Sequence, residues 1–129
     1  MKAKILLIED NAQNRYLATF LLEQRGHTII PAETGPLGLE IAVRERPDLI
    51  LLDIQLPGMD GHAVARAIKG DPSLRSIPIV AVTSYAMVGD REKCLAAGAE
   101  GYIEKPINPE TFVAEIERFL PTSPRDAAP

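Results

Sequence analysis

The sequence contains no tryptophan and only 5% aromatic residues, so it lacks the stacking platforms that single-stranded nucleic-acid binders use. It also lacks a basic excess. Lys and Arg total 14 against 18 Asp and Glu, a net charge of −4, which argues against the basic face of a nucleic-acid binder. The single cysteine, Cys94, has no internal disulfide partner and does not by count suggest a zinc site. A reducing cytoplasm is therefore the expected compartment. Long apolar runs are missing as well. After Met1-Lys2-Ala3-Lys4 the stretch 5–8 has only four apolar residues, too few for a signal peptide or a membrane span. At 129 residues the chain has room for one domain and none for a full-sized output or kinase domain.

What is present is an ordinary globular composition, 46% hydrophobic and 25% charged. A chain of this size buries roughly two thirds of its unfolded surface, enough for a core without staples. Five short apolar runs, at 4–9, 28–32, 48–53, 77–83 and 101–104, alternate with helical segments. The first, third and fourth are nearly continuous Ile, Leu and Val, as in strands buried on both faces. The second and fifth are more mixed, as sheet edges are.

The helical segments have recognisable ends. Residues 12–25 place Leu17, Phe20, Leu21 and Gln24 along one face and stop at Gly26. Thr34 suits the cap of a helix running to Arg46, with Pro47 beyond, and Asp60 the cap of one reaching Lys69. A fourth is expected over 87–97, ending at Gly98, with Gly89 weakening its first turn. Asn108-Pro109-Glu110 opens a fifth that buries Phe112, Val113, Ile116, Phe119 and Leu120. The repeated βα pattern predicts a doubly wound α/β fold: a five-stranded parallel sheet with helices on both faces, (βα)5. The domain is expected over 1–120, and the Pro-rich segment 121–129 is expected to be a disordered tail.

Ligands of such sheets bind beyond the carboxyl ends of the strands. Those ends carry Glu9-Asp10, Asp53, Thr83-Ser84 and Glu104-Lys105-Pro106. One such Asp alone is usually a helix cap. The set is different, because two charges about 4 Å apart repel by roughly 4 kcal/mol at an effective dielectric near 20. A hard divalent cation offsets that repulsion, and Mg2+ takes carboxylates, water and phosphate oxygens. Carboxylates with a bound cation, a hydroxyl donor and a lysine point to phosphoryl transfer onto a carboxylate.

Four motifs in order, Glu9-Asp10-Asn11, residues 51–61 around Asp53, Val82-Thr83-Ser84 and Lys105-Pro106, resemble the receiver domain of bacterial two-component response regulators. The resemblance covers residues 2 to about 120 and is to the stand-alone, single-domain type, such as the chemotaxis and cell-cycle receivers. It implies a flavodoxin-like fold with strand order 2-1-3-4-5. It implies Asp53 as phospho-acceptor, with Mg2+ held by Asp10, Asp53, Glu9 through water and the backbone carbonyl of Gln55. Thr83 would donate to a phosphoryl oxygen, and Lys105 would pair first with Asp53 and then with phosphate. A cis bond is implied before Pro106.

The resemblance further implies a switch in which Thr83 moves toward the phosphate and Tyr102 turns inward. The partners implied are a histidine kinase or histidine phosphotransfer protein as donor, and a downstream protein on the face of the fourth helix, fifth strand and fifth helix. Neither nucleic acid nor membrane is expected as a partner, and the chain is expected to be a monomer or weak dimer. Gln55, Ser84 and Tyr85 are expected to tune access and phosphoryl lifetime, Tyr85 by shielding. Residues 10–15 with Pro106 and Ile107 are expected to dock the donor, and 87–90 to differ most between states. Cys94 reads as a small buried hydrophobe, and His27 and His62 as structural residues without metal-binding or catalytic companions. Receiver chemistry would make the protein an enzyme only toward its own aspartyl phosphate. With no output domain in 129 residues, the output is expected to be another protein.

Three alternatives stand beside this reading. A haloacid-dehalogenase-like phosphatase would want an acid two residues after the nucleophile, where Gln55 stands. A flavin carrier would want a Gly-rich phosphate loop in place of Glu9-Asp10-Asn11. A non-phosphorylated receiver-like binding module would have no use for the intact set Glu9, Asp10, Asp53, Thr83 and Lys105.

Overall fold

In the computed structural model, residues 2–84 and 87–120 are described. The expected shielding residue, Tyr85, and the expected tail at 121–129 lie outside them. Strands β1 (Lys4–Ile8), β2 (Thr28–Ala32), β3 (Leu49–Asp53), β4 (Ile79–Thr83) and β5 (Gly101–Glu104) alternate with helices α1 (Ala12–Glu23), α2 (Gly35–Glu45), α3 (Gly61–Gly70), α4 (Asp90–Ala96) and α5 (Phe112–Glu117). The strands pair in parallel in the order β2-β1-β3-β4-β5. This is the flavodoxin-like order, and it places the reversal of strand order beside β1 and β3.

The apolar content of each strand matches its place in the sheet. Every residue of β3 and β4 is buried, and β1 is exposed only in part, at Lys4. The edge strands β2 and β5 mix buried and exposed positions. One core layer joins Ile5, Leu7, Leu49, Leu51, Val80 and Val82 to Ala18 and Leu22 of α1 and to Phe112 and Ile116 of α5. The other joins Leu6, Ile8, Ile50, Leu52, Ile79 and Ala81 to α2, α3 and α4. Each fully buried Leu or Ile contributes on the order of 1.5–3 kcal/mol.

Caps set most of the helix starts. Asn11, Thr34 and Asp60 accept from backbone N–H groups of Asn14, Leu37 and Ala63 respectively. Three expectations shift. First, Ala18 and Leu22 form the buried stripe of α1, while Tyr16 and Phe20 are 72% and 46% exposed with their rings stacked at 6.2 Å. The small Ala18 side chain sits at the sheet contact, and the aromatic pair turns outward. Second, α4 begins at Asp90, with Gly89 as its N-cap at φ 87° rather than inside its first turn. That left-handed conformation suits glycine and ends the run expected from residue 87. Third, regular helix in α5 starts at Phe112. Asn108 nevertheless opens the preceding turn, its side chain accepting from Glu110 N–H at 2.9 Å.

Candidate functional site

The carboxyl ends of β1, β3, β4 and β5 deliver the site residues to one rim. Glu9 and Asp10 follow β1, Asp53 ends β3, Thr83 ends β4, and Lys105 follows β5. One carboxylate oxygen from each of Glu9, Asp10 and Asp53 lies within 4.8 Å of the other two. Glu9, Asp53 and Thr83 are buried and Asp10 is exposed. Gly61 lets α3 begin hard against this rim, since a Cβ there would meet Ile54 Cα at 2.5 Å and the Asp53 carbonyl oxygen at 2.7 Å.

Lys105 Nζ donates to Glu9 Oε1 at 2.8 Å and lies 3.4 Å from Asp53 Oδ2. The shorter contact is thus to Glu9, whereas the family resemblance pairs this lysine with Asp53. A single ammonium shared by two buried carboxyls cannot saturate both. The Gln55 N–H donates to Asp53 Oδ1 at 3.0 Å and the Asn11 N–H to Glu9 Oε2 at 3.1 Å. Burial, and then a hydrogen-bonding Glu9 carboxyl beside it, push the Asp53 carboxyl up to about 7, against the opposing pull of the Gln55 N–H and Lys105. An all-oxygen donor set with this surplus of negative charge fits Mg2+. The peptide bond between Lys105 and Pro106 is cis, as expected.

Sequence reasoning missed two contributions. The Gln55 side chain clasps the end of β4: its Nε2 donates to Thr83 Oγ1 at 3.0 Å, and its Oε1 accepts from Ser84 Oγ at 2.7 Å and Ser84 N–H at 3.3 Å. Arg15 Nη1 donates to the Glu9 and Asp10 carbonyls at 2.9 and 3.0 Å, clamping the loop between β1 and α1. Both side chains are polar residues close in sequence to the motifs, but their contacts cross between elements. Tyr102 is not on the rim. It is half-buried on β5, its hydroxyl donating to Asp90 Oδ2 at 2.7 Å, and burial with that hydrogen bond raises its hydroxyl far above the ordinary tyrosine value.

Both histidines have partners. His27 is 3% exposed; its Nδ1 accepts from Ala3 N–H at 3.1 Å, so Nε2 carries the proton that faces Glu117 Oε2 at 2.8 Å. That is the structural role expected. His62 corrects its expectation of having no metal-binding companion, because its Nε2 lies 3.7 Å from Cys94 Sγ, with Asp90 adjacent. Helix packing, not sequence spacing, brings them together. Cys94 is 1% exposed, and burial followed by the Asp90 charge pushes its thiol up to about 11, so it is no free nucleophile.

Comparison with known proteins agrees with this geometry. Residues 5–117 match the response regulator receiver domain. The polar-differentiation response regulator DivK of Brucella anthropi is 42% identical over 120 residues, covering 93% of this chain and 98% of that protein. Chemotaxis protein CheY4 of Vibrio cholerae superposes with a TM-score of 0.87 at 28% identity, over 93% of this chain and 100% of that one. The receiver domain of a Pseudomonas aeruginosa sensor histidine kinase, solved with magnesium in its active-site cleft, superposes with a TM-score of 0.84 at 34% identity, over 92% of this chain and 98% of that one. Such domains are signalling proteins that interact with histidine kinases and downstream proteins, and a phosphorylated residue and bound magnesium are typical of them. No helix among the described residues is long and apolar enough to cross a membrane. This chain belongs to the response regulator receiver family of two-component systems.

Proposed function

We propose that Asp53 accepts a phosphoryl group from the phosphohistidine of a histidine kinase or histidine phosphotransfer protein, and that the phosphorylated domain signals by binding another protein. The observation that carries this reading is the placement of buried Asp53 among Glu9, Asp10 and Lys105. Asp10, Asp53, Glu9 through water and the Gln55 carbonyl would hold Mg2+, which when bound screens carboxylate and phosphoryl oxygens from one another. A deprotonated Asp53 oxygen attacks phosphorus, an O–P bond forms, and the N–P bond breaks with its electron pair leaving on the imidazole. Lys105 moves its ammonium from the carboxyls toward the new phosphoryl oxygens. Thr83 exchanges its Gln55 contact for a hydrogen bond donated to the phosphoryl group, and the small Ser84 leaves room for the donor.

Two faces suit the partners. Residues 10–15 and Pro106–Ile107 border the rim for the donor, and the exposed Tyr16–Phe20 pair continues that surface along α1. On the α4–β5–α5 side a cleft of about 170 Å³ is lined by Arg91, Tyr102, Glu115, Arg118 and Phe119 among others. Tyr102 turning inward would leave Asp90 and reshape that cleft together with residues 87–90. Incubation with acetyl phosphate and Mg2+, followed by intact mass, tests the reading. One phosphoryl adduct on the wild type and none on Asp53→Asn is expected; an undiminished adduct on Asp53→Asn would overturn it.

A further inference from the structure

Between α3 and α4 lies a second group of ligating side chains, one the phosphoacceptor rim does not use. His62, Asp90 and Cys94 each offer one donor atom, and the three atoms lie within 4.8 Å of one another. His62 is the second residue of α3, while Asp90 and Cys94 stand one turn apart on α4. His62 Nε2 is 3.7 Å from Cys94 Sγ. Zn–S and Zn–N bonds of about 2.3 and 2.05 Å meeting at a tetrahedral angle place sulfur and nitrogen about 3.6 Å apart. That pair is already spaced for a shared ion.

One of the three ligands has a hydrogen-bonded outer partner, and a second has a carboxylate nearby. His62 Nδ1 faces Asp60 Oδ1 at 3.7 Å, and Asp60 is itself fixed as the α3 cap by Ala63 N–H at 2.9 Å. Asp90 Oδ2 accepts from the Tyr102 hydroxyl at 2.7 Å, and a carboxylate has a second oxygen to offer. His62 also lines an open cleft of about 290 Å³ shared with Asp60, Arg66, Lys93, Ala96 and Ala97, a route from solvent. Arg66 and Lys93 bring positive charge to its mouth, but a divalent ion held by one thiolate and one carboxylate makes a neutral set.

We propose that His62 Nε2, Cys94 Sγ and one Asp90 carboxylate oxygen form a Zn2+ site that pins α4 to α3. The mixed nitrogen, sulfur and oxygen set suits Zn2+ and not Mg2+, and three protein ligands leave a fourth position for water. As the Zn–S bond forms, the thiol proton leaves to solvent, with no change of oxidation state.

The test uses the full chain, stripped of metal and kept reduced, titrated with Co2+ as a spectroscopic stand-in for Zn2+. The expected result, with Mg2+ present to occupy the carboxylate rim, is a saturable thiolate-to-cobalt charge-transfer band with four-coordinate visible bands, lost on adding Zn2+. Because the chain has a single cysteine, that band reports this site and not the carboxylate rim. Cys94→Ser abolishes the band, His62→Ala weakens Co2+ binding by roughly a hundredfold, and Asp60→Asn, which touches no ion, weakens it by roughly tenfold. Circular dichroism confirms folding of the variants, and partly exposed His62 keeps the test decisive if Cys94→Ser does not fold. No charge-transfer band on the wild type, or undiminished affinity in His62→Ala, would overturn the proposal.

Discussion

The rim around Asp53 and the cluster between α3 and α4 each bring together three side chains of metal-ligand type, yet they differ in donor chemistry and in place. The rim is all oxygen, crowds two buried carboxyls against one lysine, and sits where strand ends converge. The helix cluster mixes imidazole, thiol and carboxylate and lies along a packing seam. Hard, hydrated Mg2+ and a transferring phosphate suit the first, and a borderline ion suits the second. Strand ends give a cluster that a ligand can approach and react on. Packed helices give one that an ion can brace.

The largest effect that would break this comparison is at the rim. Asp53→Asn is expected to lower acetyl-phosphate labelling by a hundredfold or more, roughly the scale of losing a nucleophile, read by intact mass; labelling within a few-fold of the wild type would leave the rim no more reactive than the seam. Next, Asp10→Asn is expected to raise the Mg2+ concentration for half-maximal labelling by roughly tenfold or more, in a Mg2+ titration of the initial rate.

Gly61 tests how tightly α3 is seated between the two clusters. An added methyl would press on Ile54 Cα and the Asp53 carbonyl, so Gly61→Ala is expected to cost about 1–3 kcal/mol in urea unfolding.

A smaller effect follows from protons. Asp53 takes up its proton near 7 when folded against 3.8 as its ordinary value, so the folded state binds more protons between those limits. Metal-free stability should therefore fall as pH rises through that window. Asp53→Asn should flatten the fall, as should saturating Mg2+, in thermal melts at about pH 5 and about pH 8. A melt temperature that climbs through this window because of Asp53 would contradict the burial of an unneutralised carboxyl.

How much of this was legible depended on where the interacting residues lie in the chain. The runs that became β1, β3 and β4 are apolar on both faces because helices cover both sides, so they announce themselves without alternation. Asp53 and Thr83 end strands, and Glu9 and Lys105 follow them directly, so topology alone gathers them. The Gln55 clasp on Thr83 and Ser84 crosses from the β3 end to the β4 end, and neither side's local pattern encodes it. His62 and Cys94 are 32 residues apart on separate helices, and only the packing of α3 beside α4 makes them neighbours. The α1 face departs from its apolar periodicity because a small Ala18, and not the aromatic Phe20, is what the sheet accommodates.

The central claim is that the carboxyl of Asp53 carries the phosphoryl group. Borohydride reduction after labelling in Mg2+ converts an acyl phosphate on aspartate to homoserine, and peptide mass mapping locates it. Homoserine is expected at position 53 alone, absent when Mg2+ is chelated before labelling. Reduction product at Asp10 or another acid, or labelled protein that yields no homoserine, would contradict it.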